Sequence, residues 1–411
     1  MEKYKKTVLA CYLGFAYQGI VNNLPPILFL IFQKTWNVSL MQITFLITLG
    51  FLTSFLMCAL SILYIEKVSY RTVAVISSIS AFIGMVSLVF LPHFMSNPYL
   101  GLCIATFFNG LGGGLIDIVG SPIIEALPSD NKSASMNMLH SMYCWASVAV
   151  IVITTITLKI FGENSWKLLT LIYAIIPLLC IILFIKVPML RLVEKKGTHT
   201  PLKTILKHKY FYIFLLLILI SGASEQAISQ WSSYFAEIGL AVPKIIGDIL
   251  GPAFLLLTMA ISRTIIGVSR KKFKLKKLLL LSSIICLMSV LIIIFSPVPI
   301  GSLLAIGFCG FGIGIFWPTT LSLSREFFPK ADATMFAFIT LAGSFGCILG
   351  PSLIGFISKK IESNEWKSIL SNFLNIEGPE LAFKTGMLTI VILQMIMIFA
   401  LLYIKKGRKL S

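Results

Sequence analysis

Apolar residues in this chain neither alternate with polar ones nor keep to one helical stripe. They run together in stretches of about 20 residues, the length a helix needs to cross a hydrocarbon core roughly 30 Å thick. Such runs lie at 7–33, 40–64, 70–91, 99–124, 134–158, 165–187, 210–236, 244–268, 277–295, 298–322, 331–358 and 383–404. Short polar gaps divide them. The pattern predicts an all-α membrane protein with twelve transmembrane helices, and the lack of alternation excludes an outer-membrane barrel. Composition agrees: 57% of residues are hydrophobic and 12% charged, with a mean hydropathy of +0.94. A soluble domain carries about 25% charged residues, so a soluble globule and a disordered chain are both excluded.

A net charge of +18 invites a nucleic-acid reading, but the placement of the bases rejects it. Of the 34 Lys and Arg, only Lys34, Lys159, Lys167, Lys244, Lys359, Lys360, Lys367 and Lys384 belong to one alternate set of gaps. All the others belong to the opposite set and the two termini. By the positive-inside rule both termini are cytoplasmic, and the basic ends attract anionic lipid heads. The first apolar run is too long for a signal peptide and ends in Asn22, Asn23, Pro25 and Pro26 without a small-residue cleavage site. Eight Cys all fall inside apolar runs, with no CxxC or Cys/His cluster. They read as buried small hydrophobes, so disulfides, metals and cofactors are not expected.

The basic stretch 188–209, with Pro188, Gly197 and Pro201, divides the chain into a six-helix bundle at 1–187, a cytoplasmic linker, and a second bundle at 210–411. The halves repeat each other. Gly110, Gly112 and Gly114 in span 4 match Gly310, Gly312 and Gly314 in span 10 at an offset of 200, as Phe108 matches Phe308. Leu49-Gly50 and Ala59 match Leu250-Gly251 and Ala260 at an offset of 201. Two parallel repeats of this kind rock against one another around a central site.

Ionisable groups at membrane depth cost several kcal/mol, about 2.5–3.5 on translocon scales, and mark pathways. Asp117 lies late in span 4, on a face shared at four-residue spacing by Asn109, Gly113 and Ser121. Glu225 lies mid-span in helix 7 among Ser221, Ser229, Ser232, Gln226 and Gln230, with no base in its own helix. These two acids are the expected proton-coupling groups. Gln18 and Asn22 stack one turn apart in span 1 beside Asn23, and amides both donate to and accept from hydroxyls. The pair Pro25-Pro26 is expected to break that helix and free carbonyls nearby. Trp317 is the repeat equivalent of Asp117, and Trp231 follows Glu225 by six. Each is either a ring platform for solute or a packing residue. Arg263, the one base well inside a span, is expected to snorkel to the headgroups or join a gate.

With its twelve spans, duplication and basic central loop, the chain resembles the major facilitator superfamily. That family's gate signature, G-x-x-x-D-R-x-G-x-R, has a counterpart in Ile62-x-x-x-Glu66-Lys67-x-Ser69-x-Arg71. The resemblance implies gate roles for Glu66, Lys67 and Arg71, with Arg263 in the second half. Within the superfamily the chain is most similar to the fucose–galactose–hexose proton symporters. The similarity rests on Asn22-Asn23-Leu24-Pro25-Pro26, Ile116-Asp117 with Pro122, Met136-Asn137-Met138-Leu139-His140, and Gly222, Glu225 and Trp231. The span-1 acid of that branch is Pro26 here. Span 5 lacks glycine and proline at 143–157, unlike the superfamily's drug–proton antiporters.

The sequence reading is a secondary transporter in the plasma (cell inner) membrane, monomeric as the family implies, and not an enzyme. It moves a small polar organic solute such as a sugar by alternating access, coupled to protons. Solute would meet Gln18, Asn22, Asn23, Asn109, Gln226, Gln230, Trp231 and Trp317. An exporter of amphipathic compounds, an uncoupled facilitator and a solute-binding receptor are the rival readings.

Overall fold

A computed structural model describes residues 2–65, 67–190, 202–269, 271, 273–331, 333–362, 366–374 and 376–404. Twelve helices in it are long and apolar enough to span a membrane. They are α1 (Lys5–Trp36), α2 (Met41–Tyr64), α3 (Tyr70–Phe94), α4 (Pro98–Ala126), α5 (Lys132–Phe161), α6 (Glu163–Lys186), α7 (Lys209–Glu237), α8 (Ile246–Val268), α9 (Leu275–Phe295), α10 (Pro299–Phe327), α11 (Thr334–Ser358) and α12 (Glu380–Tyr403). No strand occurs among the described residues. The chain divides into two compact units, Met1–Leu202 with Lys330–Leu341, and Lys203–Pro329 with Ala342–Ser411.

The polar gaps contain the caps that start the helices. Ser39 and Gln42 form a reciprocal capping box before α2, Ser69 caps α3, Asn97 caps α4 and Asn131 caps α5. Each satisfies amide donors that a helix N-terminus leaves unpaired.

Two backbone features depart from expectation. The helix of α1 continues through Pro25 and Pro26 to Trp36, so the proline pair does not break it. In membrane helices proline is tolerated where neighbouring helices, hydroxyl side chains and small backbone adjustments satisfy the carbonyls it frees. The break lies instead in α10, where helix Pro299–Ile313 stops, Gly314 and Ile315 form a turn, and helix Phe316–Phe327 resumes.

The repeated glycines explain how each unit packs. In α4 a methyl group placed on Gly110 would meet Gly50 O of α2 at 2.7 Å, on Gly112 it would meet Ala81 N of α3 at 2.7 Å, and on Gly114 Ser54 Cα of α2 at 2.8 Å. Only glycine allows those approaches. In α10, Gly310 abuts Leu255 O of α8, Gly312 lies at 2.7 Å from Ser282 O of α9 by the same measure, and Gly314 abuts Ser262 of α8. Positions 200 apart thus face corresponding neighbours, helices 2 and 3 in one unit and 8 and 9 in the other. The duplication is one of packing as well as of sequence.

Candidate functional site

In the first unit, Gly113 differs from the other glycines of its run. Its face looks at α1, and the nearest atoms to an added methyl are Val21 Cγ2 at 3.6 Å, Asn22 Oδ1 at 3.7 Å and Gln18 Cγ at 3.8 Å. These are ordinary contacts, so the α1–α4 seam is looser here than the seams to α2 and α3. Gln18 and Asn22 therefore border the part of α4 that carries Asp117 one turn further on. Asp117 and Gln18 are half-buried and Asn22 is exposed. Two amides and a carboxylate bound to a small-residue helix face can exchange hydrogen bonds with a hydroxylated solute.

Other amides expected at this site are engaged elsewhere. Asn23 donates through Nδ2 to Gly19 O and to Ser147 Oγ of α5, both at 2.9 Å. Asn109 turns towards α3, where its carboxamide fills the space a side chain on Gly84 would need. It is 5% exposed, and its Oδ1 accepts no hydrogen bond. Four-residue spacing drifts by about 40° per step, enough to send Asn109 to α3 and Gly113 to α1. Asn23 thus ties α1 to α5, and Asn109 packs against α3.

In the second unit Glu225, which has no base in its own helix, meets one from a neighbouring helix. Arg263, from α8, places Nη2 3.2 Å from Glu225 Oε2, with the two side chains 2% and 13% exposed. Arg263 is thus buried and does not snorkel. Its Nε donates to Gly314 O, at the α10 break, at 2.5 Å. The guanidinium pays its desolvation through a carboxylate and a carbonyl together, the condition under which a buried ion is tolerated.

Trp317 follows that break and is 9% exposed, with the distal edge of its indole lying over Gly343 of α11. Trp231 is half-buried and donates its indole N–H to Pro351 O of α11 at 3.0 Å, while its ring packs on Gly355. That satisfied donor makes Trp231 a packing residue here. Gln230 donates to Gln226 along α7 at 3.4 Å.

Of the expected gate residues, Glu66 lies outside the described residues and Lys67 is exposed. Arg71 donates to Phe184 O at 3.1 Å, Val187 O at 2.7 Å and Ile185 O, carbonyls at the end of α6. A cation at a helix C-terminus is a stabilising cap, and Arg71 takes that place.

Several polar contacts escaped the sequence reading. His140 is buried against Phe15 and hydrogen-bonds Ser121 at 3.2 Å. Tyr17 links through Ser77 to Gly112 O. Gln394, fully buried, donates to Ser224 Oγ at 2.8 Å and accepts from Ser283 at 2.9 Å. One available signal was overlooked: a lone mid-span acid and a lone deep base in one half are natural partners, because buried charges pair.

The sequence profile of the Major Facilitator Superfamily matches residues 10–351. The chain belongs to that superfamily. It is therefore a carrier rather than an enzyme, and an integral multi-pass membrane protein. Among curated proteins none matches it by sequence. Among solved structures it is similar to the superfamily transporter FucP in the outward conformation, at a TM-score of 0.75 and 14% identity, covering 98% of this chain and 100% of that one. A variant of the E. coli fucose:proton symporter FucP gives 0.73 and 16%, covering 96% and 99%. The proton:xylose symporter XylE bound to 6-bromo-6-deoxy-D-glucose gives 0.77 and 13%, covering 96% and 95%. At these identities the likeness establishes the fold.

Proposed function

We propose that this facilitator carries a small polar organic solute, of the sugar class, across the cell's inner (plasma) membrane as a monomer in symport with protons. The observation that carries the reading is the loose α1–α4 seam, where Gln18 and Asn22 border Gly113 one turn from Asp117. A neutral polyol matches that chemistry, since amides answer its hydroxyls in both directions. The printed substrates of the similar structures, fucose and xylose, belong to the same chemical class.

Coupling is assigned to Asp117 and Glu225. A proton arriving at Glu225 competes with Arg263 for the same carboxylate, so protonation of Glu225 and its ion pair with Arg263 are alternative states. Solute and proton are transported together if both favour the same conformation, because a ligand shifts an equilibrium only by its differential affinity. Alternating access then follows from movement of the two repeats. Arg71 is assigned to holding the end of α6, Arg263 to the contact of α7, α8 and α10, and Lys67 to the cytoplasmic gate, none of them to binding solute.

The test is uptake of a panel of radiolabelled hexoses and pentoses into proteoliposomes, with and without an inward proton gradient. The expected result is gradient-driven accumulation of at least one sugar. Asp117→Asn and Glu225→Gln should each keep downhill exchange and lose accumulation. Uptake that ignores the gradient would make the protein an uncoupled facilitator, the reading favoured by Pro26 at the span-1 acid position.

A further inference from the structure

The break in α10 and the buried arginine of α8 belong together. In a continuous helix the carbonyl of Gly314 would accept from the amide of residue 318. That residue is Pro318, which has no N–H. The donor that reaches Gly314 O instead is Arg263 Nε, at 2.5 Å, while the other end of the guanidinium is held by Glu225 at 3.2 Å. We infer that Arg263 replaces the amide hydrogen that Pro318 lacks, and so pins the broken helix and positions Trp317 against Gly343.

The duplication supplies an internal control. At the offset of 200 that relates the glycines of α4 and α10 the counterpart of Pro318 is Ile118, and at the offset of 201 that relates α2 and α8 the counterpart of Arg263 is Ile62. The proline and the arginine are both present in one half and both absent from the other. In the half without them, α4 runs unbroken from Pro98 to Ala126. α4 carries a proline of its own, Pro122, without a break; in α10 a guanidinium stands at the vacant carbonyl, with a carboxylate behind it to neutralise the charge.

The consequence falls on Trp317, the residue just before Pro318. Its indole edge lies over the backbone of Gly343, where no side chain could stand. Gly343 also abuts Gly222 of α7, through a carbonyl that a methyl on Gly222 would strike. The ring thus sits where α7, α10 and α11 meet, and its place depends on where the second segment of α10 starts. Arg263 is in this sense a positioning residue. The inference rests on the transport reading only in assigning Trp317 to solute; the pinning itself is independent of it.

The experiment restores the missing donor. Protein is labelled with 5-fluorotryptophan, and the Trp317 resonance is assigned among the six tryptophans by its loss in Trp317→Phe. No solute is added, so the result stands apart from any failure to transport sugar. The single variant Glu225→Gln should keep the parental resonance, since Arg263 still reaches Gly314. The double variant Glu225→Gln with Arg263→Met removes both charges and should shift or broaden the Trp317 signal. Adding Pro318→Ala should return it to one narrow line and raise the melting temperature of the double variant. Pro318→Ala alone should leave the parental spectrum nearly unchanged. An unaltered Trp317 signal in the double variant would overturn the inference. So would a failure of Pro318→Ala to restore either the resonance or the stability, including the case in which neither combined variant folds.

Discussion

Asn23 reaches both Gly19 O and Ser147 Oγ, whereas Asn22 faces the open seam beside Gly113. Adjacent asparagines should therefore fail in different ways. Asn23→Ala removes a tie between α1 and α5 and should lower stability by about 1 kcal/mol, read as a lower melting temperature, with sugar affinity kept within a factor of about two. Asn22→Ala should leave the melting temperature in place and weaken sugar binding about 5-fold or more, the worth of one hydrogen bond of roughly 1 kcal/mol. Calorimetric binding and thermal unfolding of the two purified variants separate the cases; equal affinity loss in both would remove the distinction. The sequence displayed these amides as a group because a linear pattern lists polar residues at depth without saying which already have partners. Asn109 and Trp231 were grouped with them for the same reason. Partner choice depends on rotations of a few tens of degrees about a helix axis, and drift along a polar face is not resolved by spacing alone.

Helices meet here through missing side chains. A methyl group on Gly346 would strike Leu219 O, and one on Gly350 would strike Ala223 O, so α11 lies directly on α7 over about one turn. Gly350→Ala should force the pair apart and cost about 1–3 kcal/mol, as overpacking does. Within α4 the same logic makes an internal comparison. Gly112→Ala, 2.7 Å from Ala81 N, should depress the melting temperature by several degrees. Gly113→Ala, with nothing nearer than 3.6 Å, should leave it almost unchanged while reducing sugar affinity. Equal destabilisation by the two substitutions would mean that the α1–α4 seam is as tight as the others. The existence of these elements was legible from apolar runs, and the glycine repeat at an offset of 200 was legible from the letters. The continuity of α1 through Pro25-Pro26 and the interruption of α10 were not. Proline states that a hydrogen bond is missing, and only the neighbours decide whether the helix bends, breaks or finds a substitute. Arg263 is such a substitute, supplied from a helix more than fifty residues away in sequence.

At the scale of the whole molecule, what remains to be measured is direction across the membrane. From the alternation of basic and base-poor connections we expect the termini in the cytoplasm and the connection 359–382 outside. That connection contains a short helix, Trp366–Leu374. It also contains acids, Glu377 and Glu380, of which Glu380 pairs with Lys384 at 2.8 Å; Lys384 in turn donates to Ser296 O, at the end of α9, at 2.9 Å. In a variant with its eight cysteines replaced, most of them buried, Ser371→Cys should react with an impermeant thiol reagent added to intact cells. Asp130→Cys, exposed in the connection between α4 and α5, should react only after the membrane is opened. The reciprocal pattern, with Asp130→Cys labelled in intact cells and Ser371→Cys protected, would invert the protein.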